Sequence, residues 1–356
     1  MTPAELRAAG QLSGHAAAGM VSRAEQVHRA VAGRAFGSLR EAAGPARTIH
    51  DAVSRGVYRT VRGVGAAAGS MGGLVASRFG SSDRPRGQAS GGHLALAAVA
   101  ALNALAGDNF GPDLAPLTIQ LAVRAGDRDV DLDTGELAAA FPRSTARLAV
   151  FVHGLAETEL SWHRQAAGHL PYGPRLRAGF GYTPVYLRYN TGRPVRDNGR
   201  DVADLLDRLL AGWPLPVTDL VLVGHSMGGL VIRSACHYGT HAAAPWVRRV
   251  RQVFYLGSPL LTAPLARTAG LTGPEPLRGA GHYAISATRI ADPGRPVGTA
   301  ARDLLAQPGS AAGRPRGRPH IPFPDRRGRG GLQHFDLLNH PAVWAAMRDI
   351  LDRADR

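Results

Sequence analysis

From residue 92 onward the apolar positions fall into two alternating rhythms. Runs rich in apolar residues at 148–152, 184–189, 220–223, 250–256 and 283–290 have the length and branching of strands, and the continuous one at 148–152 implies burial on both sheet faces. Between them come stretches with helical spacing. In 197–210 the residues Val202, Leu205, Leu206, Leu209 and Leu210 fall on one side, and Gly212 and Pro214 stop the helix. Residues 227–237 and 341–351 predict two further helices, and 94–106 a buried one. The runs 117–123 and 128–132, joined by Ala125-Gly126-Asp127, predict a hairpin. Strand and helix in strict alternation predict a mostly parallel sheet with helices on both faces.

Residues 1–90 have a different texture. They are rich in Ala, Gly, Arg and Ser, and only Val53, Val57 and Val61 keep a clear helical stripe. Glycines 63, 65, 69, 72 and 73 weaken any helix that follows, and 81–87 reads as a linker. The division expected is therefore a helical or partly disordered extension over 1–90 and an α/β domain over 91–356.

Composition changes this picture little. The net charge of +15 comes from 42 basic side chains, every one of them Arg. Such a charge attracts anionic lipid or acidic substrates, but it is also what a GC-rich coding sequence produces. No DNA- or RNA-reading motif accompanies it, so nucleic acid is not an expected partner. The lone Cys236 excludes an internal disulfide. The first 30 residues lack a leader-like apolar stretch, and no run approaches the ~20 residues that cross a bilayer. The expected location is the cytoplasm, with peripheral membrane contact through Arg-rich segments as an additional expectation.

The chemistry concentrates at Gly224-His225-Ser226-Met227-Gly228-Gly229, directly after one buried strand and directly before an apolar helix. G-x-S-x-G alone is a weak signal, but in the strand-to-helix setting it reads as a nucleophile elbow that lifts Ser226 above the sheet. The helix N-terminus beneath it favours developing negative charge. Together with Val152-His153-Gly154-Leu155 and Gly257-Ser258-Pro259, this hexapeptide resembles the α/β-hydrolase superfamily. More narrowly it is similar to a bacterial lipase/esterase branch related to GPI inositol-deacylases, over about residues 115–352.

The resemblance implies an oxyanion hole from the Met227 and Leu155 amides, and a chain order of Ser, acid, His. His334, in the loop before the last helix, is then the base; His340 precedes Pro341 and reads as a helix-capping residue. Two carboxylates remain open as the acid: Asp303, in a segment similar to the branch's acid loop, and Asp292, just after the fifth strand. His225 is expected to pack or to bond nearby backbone. Trp162, Tyr172 and Tyr189 either line the pocket or, as aromatic residues more often do, belong to the core. The Arg- and Pro-rich segment 313–331 is expected to be a mobile, solvated insertion, with overhang of the site as the alternative. No metal or organic cofactor is required. The implied activity is cleavage of carboxylic esters, lipid esters included, through an acyl-enzyme. Acyl transfer by the same residues, and a membrane-surface or partner-binding protein with an idle hydrolase domain, stay open.

Overall fold

The computed structural model describes residues 96–97, 99–104, 107, 117–164, 168–258, 276–289, 320–323 and 337–355. The chain divides into two compact units, Met1–Thr118 and Ile119–Arg356. Of the first, residues 96–97 and 99–104 are helical, as the pattern over 94–106 predicts. The expected boundary at residue 90 lies outside the described residues.

The second unit is built on an eight-stranded sheet of order β2-β1-β4-β3-β5-β6-β7-β8. Its strands are β1 (Ala122–Ala125), β2 (Arg128–Val130), β3 (Arg147–Val152), β4 (Thr183–Arg188), β5 (Asp219–His225), β6 (Val250–Leu256), β7 (Gly281–Arg289) and β8 (His320–Phe323). Its helices are α1 (Thr134–Ala140), α2 (Tyr172–Phe180), α3 (Val195–Gly212), α4 (Met227–His241) and α5 (Pro341–Ala354). Strands β3 to β8 pair in parallel, and only the β1–β2 and β1–β4 pairs are antiparallel. This is the mostly parallel sheet that the alternating rhythms predict.

Two cores follow from the two-residue period of the strands. Leu148, Val150 and Val152 of β3 join Leu220 and Leu222 of β5 in a cluster covered by Val202, Leu206 and Leu209 of α3 and by Val231 and Ala235 of α4. The intervening Ala149, Phe151, Val221 and Val223 face the opposite cluster, covered by Leu176 of α2 and Val343, Met347 and Leu351 of α5. Helices therefore cover both faces, and β3 and β5 expose neither.

Two features depart from expectation. The hairpin strands are shorter than predicted, the first starting at Ala122. Within 313–331, read as a mobile insertion, residues 320–323 are instead a strand paired in parallel with β7. Ile321 and Phe323 alternate with Pro322, and a proline is tolerated because β8 is an edge strand, where a missing N–H breaks no inner ladder. The rest of that segment lies outside the described residues. No helix among the described residues is long and apolar enough to cross a membrane.

Candidate active site

Strand order fixes where a crevice opens. From β3 the chain runs to β4 on one side, while β5 lies on the other side of β3 and continues to β6. Their connecting segments leave in opposite directions, and ligands of open α/β sheets bind outside the carboxyl ends at such a reversal. Val152, the last residue of β3, is in register with Gly224, so the loop after β3 and the turn after β5 are neighbours at this point.

The turn after β5 carries Ser226. Its backbone sits at φ 52° and ψ −119°, a region that costs a residue with a side chain about 1–3 kcal/mol. Such strain persists only where the surroundings impose it. The Ser226 N–H donates to the Leu256 carbonyl at 2.8 Å, pinning the turn to β6. A Cβ on Gly228 would lie 2.2 Å from the Val152 carbonyl oxygen, and one on Gly224 would lie 2.6 Å from the Gly229 nitrogen. Both clashes are with backbone, which cannot swing away, so helix α4 can approach the ends of β3 and β5 this closely only with glycine at these positions. Ser226 itself is half-buried between the buried Gly224-His225 and Gly228-Gly229 pairs. Met227, the first residue of α4, has no intrahelical acceptor for its N–H.

The loop after β3 is a tight turn. Its Glu157 N–H donates to the Gly154 carbonyl at 3.2 Å, and its Ala156 N–H donates to Thr191 Oγ1 at 3.1 Å. The Gly154 N–H donates to Glu157 Oε2 at 3.0 Å. Three of the four amides from 154 to 157 are thus engaged, and that of Leu155 is the one left over. Ala156 stands at φ 57°, a second strained position without glycine.

His225 packs, as expected, edge-on against the Trp162 ring, and its Nδ1 lies 3.0 Å and 3.2 Å from the two carboxylate oxygens of Glu157. The pair is buried, His225 fully. Burial alone would push the Glu157 carboxyl up, but the His225 charge, its hydrogen bond and the Gly154 N–H outweigh that and pull it down to about 2. Residue 157 was missed in the sequence. Its only signal was a carboxylate three residues past His153-Gly154, in a segment too short to bury it by pattern.

His153 is also buried, and burial lowers its pKa. Its Nδ1 lies 3.0 Å from the Gly154 carbonyl, while Nε2 accepts the Tyr189 N–H at 3.4 Å, the pattern of a neutral ring protonated on Nδ1. Tyr189 stacks on it at 4.4 Å.

Trp162, Tyr172 and Tyr189 take the core reading: all are fully buried in the two cores. Trp162 presents its ring to His225 edge-on at 6.3 Å. Tyr172 spends its hydroxyl on the Leu337 carbonyl at 2.6 Å. His340 is the helix cap anticipated: its Nδ1 accepts the Ala342 N–H at 3.2 Å at the start of α5. His334, Asp303 and Asp292 lie outside the described residues. The segment just after His334 is firmly held, however. Leu337 and Leu338 are buried, and buried Asn339 accepts the Tyr172 N–H at 2.8 Å and donates to the Trp162 carbonyl at 3.1 Å.

Among the described residues no group of three or more His, Cys, Asp or Glu side chains could hold a metal ion. Residues 189–272, which include the elbow, match the family model of the PGAP1-like alpha/beta domain. Comparison with curated protein sequences finds no match. Solved structures with a similar course include the product of gene lin2722 of Listeria innocua, at 13% identity and a TM-score of 0.38, covering 58% of this chain and 94% of that one. The RedJ thioesterase of prodiginine biosynthesis in Streptomyces coelicolor is 18% identical, with a TM-score of 0.34 over 58% of this chain and 91% of its own. A Bacillus cereus carboxylesterase is 11% identical, with a TM-score of 0.33 over 66% and 93%.

Proposed function

We propose that the chain is a serine hydrolase that cleaves carboxylic esters through an acyl-enzyme on Ser226. The observation that carries this reading is the strained backbone of Ser226, held at a strand-to-helix corner by glycines that tolerate no side chain. A serine serving only as a turn residue would have no reason to keep that conformation, which glycine adopts at lower cost.

In the proposed cycle His334 takes the Ser226 proton as the hydroxyl attacks the ester carbonyl. The Leu155 and Met227 amides hold the oxyanion, worth roughly 3–4 kcal/mol per donor. The alcohol leaves with the proton from His334, and water then releases the acid by the same steps in reverse. The anchoring of Leu337 to Asn339 against Trp162, itself in contact with His225, supports His334 as base, because it brings the chain back to the elbow within a few residues of it. Asp303, with Asp292 as the alternative, would hold the imidazole in its working tautomer. Peripheral contact with lipid through Arg-rich segments belongs to the same proposal, with lipid esters as one substrate class.

Kinetics on a short-chain chromogenic ester test it. Ser226→Ala and His334→Ala should each lower kcat by at least about 10³-fold. Wild-type turnover in Ser226→Ala would overturn the reading. Asn substitutions at Asp303 and Asp292 decide the acid, the larger loss marking it. Product partition with an added alcohol or amine separates hydrolysis from acyl transfer.

A further inference from the structure

We propose that Glu157 is a positioning residue that locks the oxyanion loop to the nucleophile turn, an inference that rests on the esterase reading above. One residue makes three ties, two within its own loop and one across to the turn that carries Ser226. Its carboxylate accepts the Gly154 N–H from its own loop at 3.0 Å and holds His225 Nδ1, the residue directly before the nucleophile, at 3.0 Å. Its backbone N–H meanwhile donates to the Gly154 carbonyl at 3.2 Å.

The last tie has a consequence for catalysis. The Gly154 carbonyl and the Leu155 N–H belong to one planar trans peptide, so fixing one end fixes the direction of the other. That carbonyl is held from two sides, by Glu157 and by His153 Nδ1 at 3.0 Å. The Leu155 N–H is therefore aimed before any substrate arrives, and donors aimed in advance spend no reorganisation energy as the oxyanion forms.

The lock also sets the distance between loop and nucleophile. A Cβ on Gly154 would lie 3.1 Å from both Ser226 Cβ and His225 Nδ1, so the two turns already touch. Both contain a strained residue, Ala156 at φ 57° and Ser226 at φ 52°, and each would relax if released. Carboxylate and ring oppose that release from within.

The test compares wild type, Glu157→Ala and Glu157→Gln, each scaled to its folded fraction by near-UV circular dichroism. Ala removes both carboxylate ties. Gln keeps the volume and an acceptor for the Gly154 N–H, so it should fold even if Ala does not. For Glu157→Ala the expected result is a kcat lower by about 10- to 100-fold with KM within about twofold, because only transition-state geometry is disturbed. Fluorophosphonate labelling, which forms an oxyanion of its own, should slow in parallel. Glu157→Gln should lie between Ala and wild type. A purely structural role would lower the folded fraction and leave scaled kcat and labelling rate untouched, and that outcome overturns the inference while the labelled wild type keeps the esterase reading intact. A wild type that neither labels nor turns over removes both.

Discussion

At the scale of single residues, the account turns on atoms that have nowhere to go. Gly228 is the clearest case. Its absent Cβ would sit 2.2 Å from the Val152 oxygen and 2.5 Å from the His153 oxygen, so Gly228→Ala must push α4 off the end of β3. A loss of about 3 kcal/mol is expected, at the upper end for overpacking, because backbone rather than a flexible side chain must yield. Urea denaturation measures it; a midpoint within error of wild type would contradict the close approach. Glu157 makes a second residue-level prediction. Its carboxyl is held near 2, below the ordinary value of 4.5, so its contribution is present above about pH 4.5 and is lost as pH falls toward 2. On the order of 3 kcal/mol is at stake. The groups facing it are His225, His153 and the Tyr189 hydroxyl. The stability of Glu157→Gln should therefore fall less than that of wild type between pH 4.5 and pH 2.

Among the elements, the central strands and the helices between them were legible because each run is predominantly apolar and correctly spaced. β6 matches its predicted residues at both ends, and α3 and α5 extend theirs by one or two turns' worth of residues or less. The pattern failed where tertiary contacts replace it. α1 and α2 are short, and α2 is stitched with glycine and proline, so neither shows a helical stripe in sequence. The elbow was readable from six residues because its chemistry is local. Glu157 and Asn339 were not, because each matters through partners far along the chain. Asn339 joins three elements: α2 through Tyr172, the turn at Trp162, and α5 two residues on. It also stands at φ 62°, which asparagine accepts better than most residues. Asn339→Ala leaves the Tyr172 N–H and the Trp162 carbonyl buried without partners and adds backbone strain. A loss of about 3 kcal/mol is expected in urea, with activity falling alongside if this anchor sets the approach of His334.

At the largest scale, within the unit Ile119–Arg356, two helical layers close on a sheet whose reversal between β3 and β5 is where both turns of the candidate site emerge. The fold thus supplies the location, the glycines the approach, and the two strained turns the geometry. What the site does with that geometry is open to one direct measurement. Full-length wild type is treated with a fluorophosphonate, and the adduct is located by peptide mapping. The account predicts a single adduct per chain, on Ser226, absent from Ser226→Ala. An unlabelled protein, or an adduct on any other residue, would contradict it.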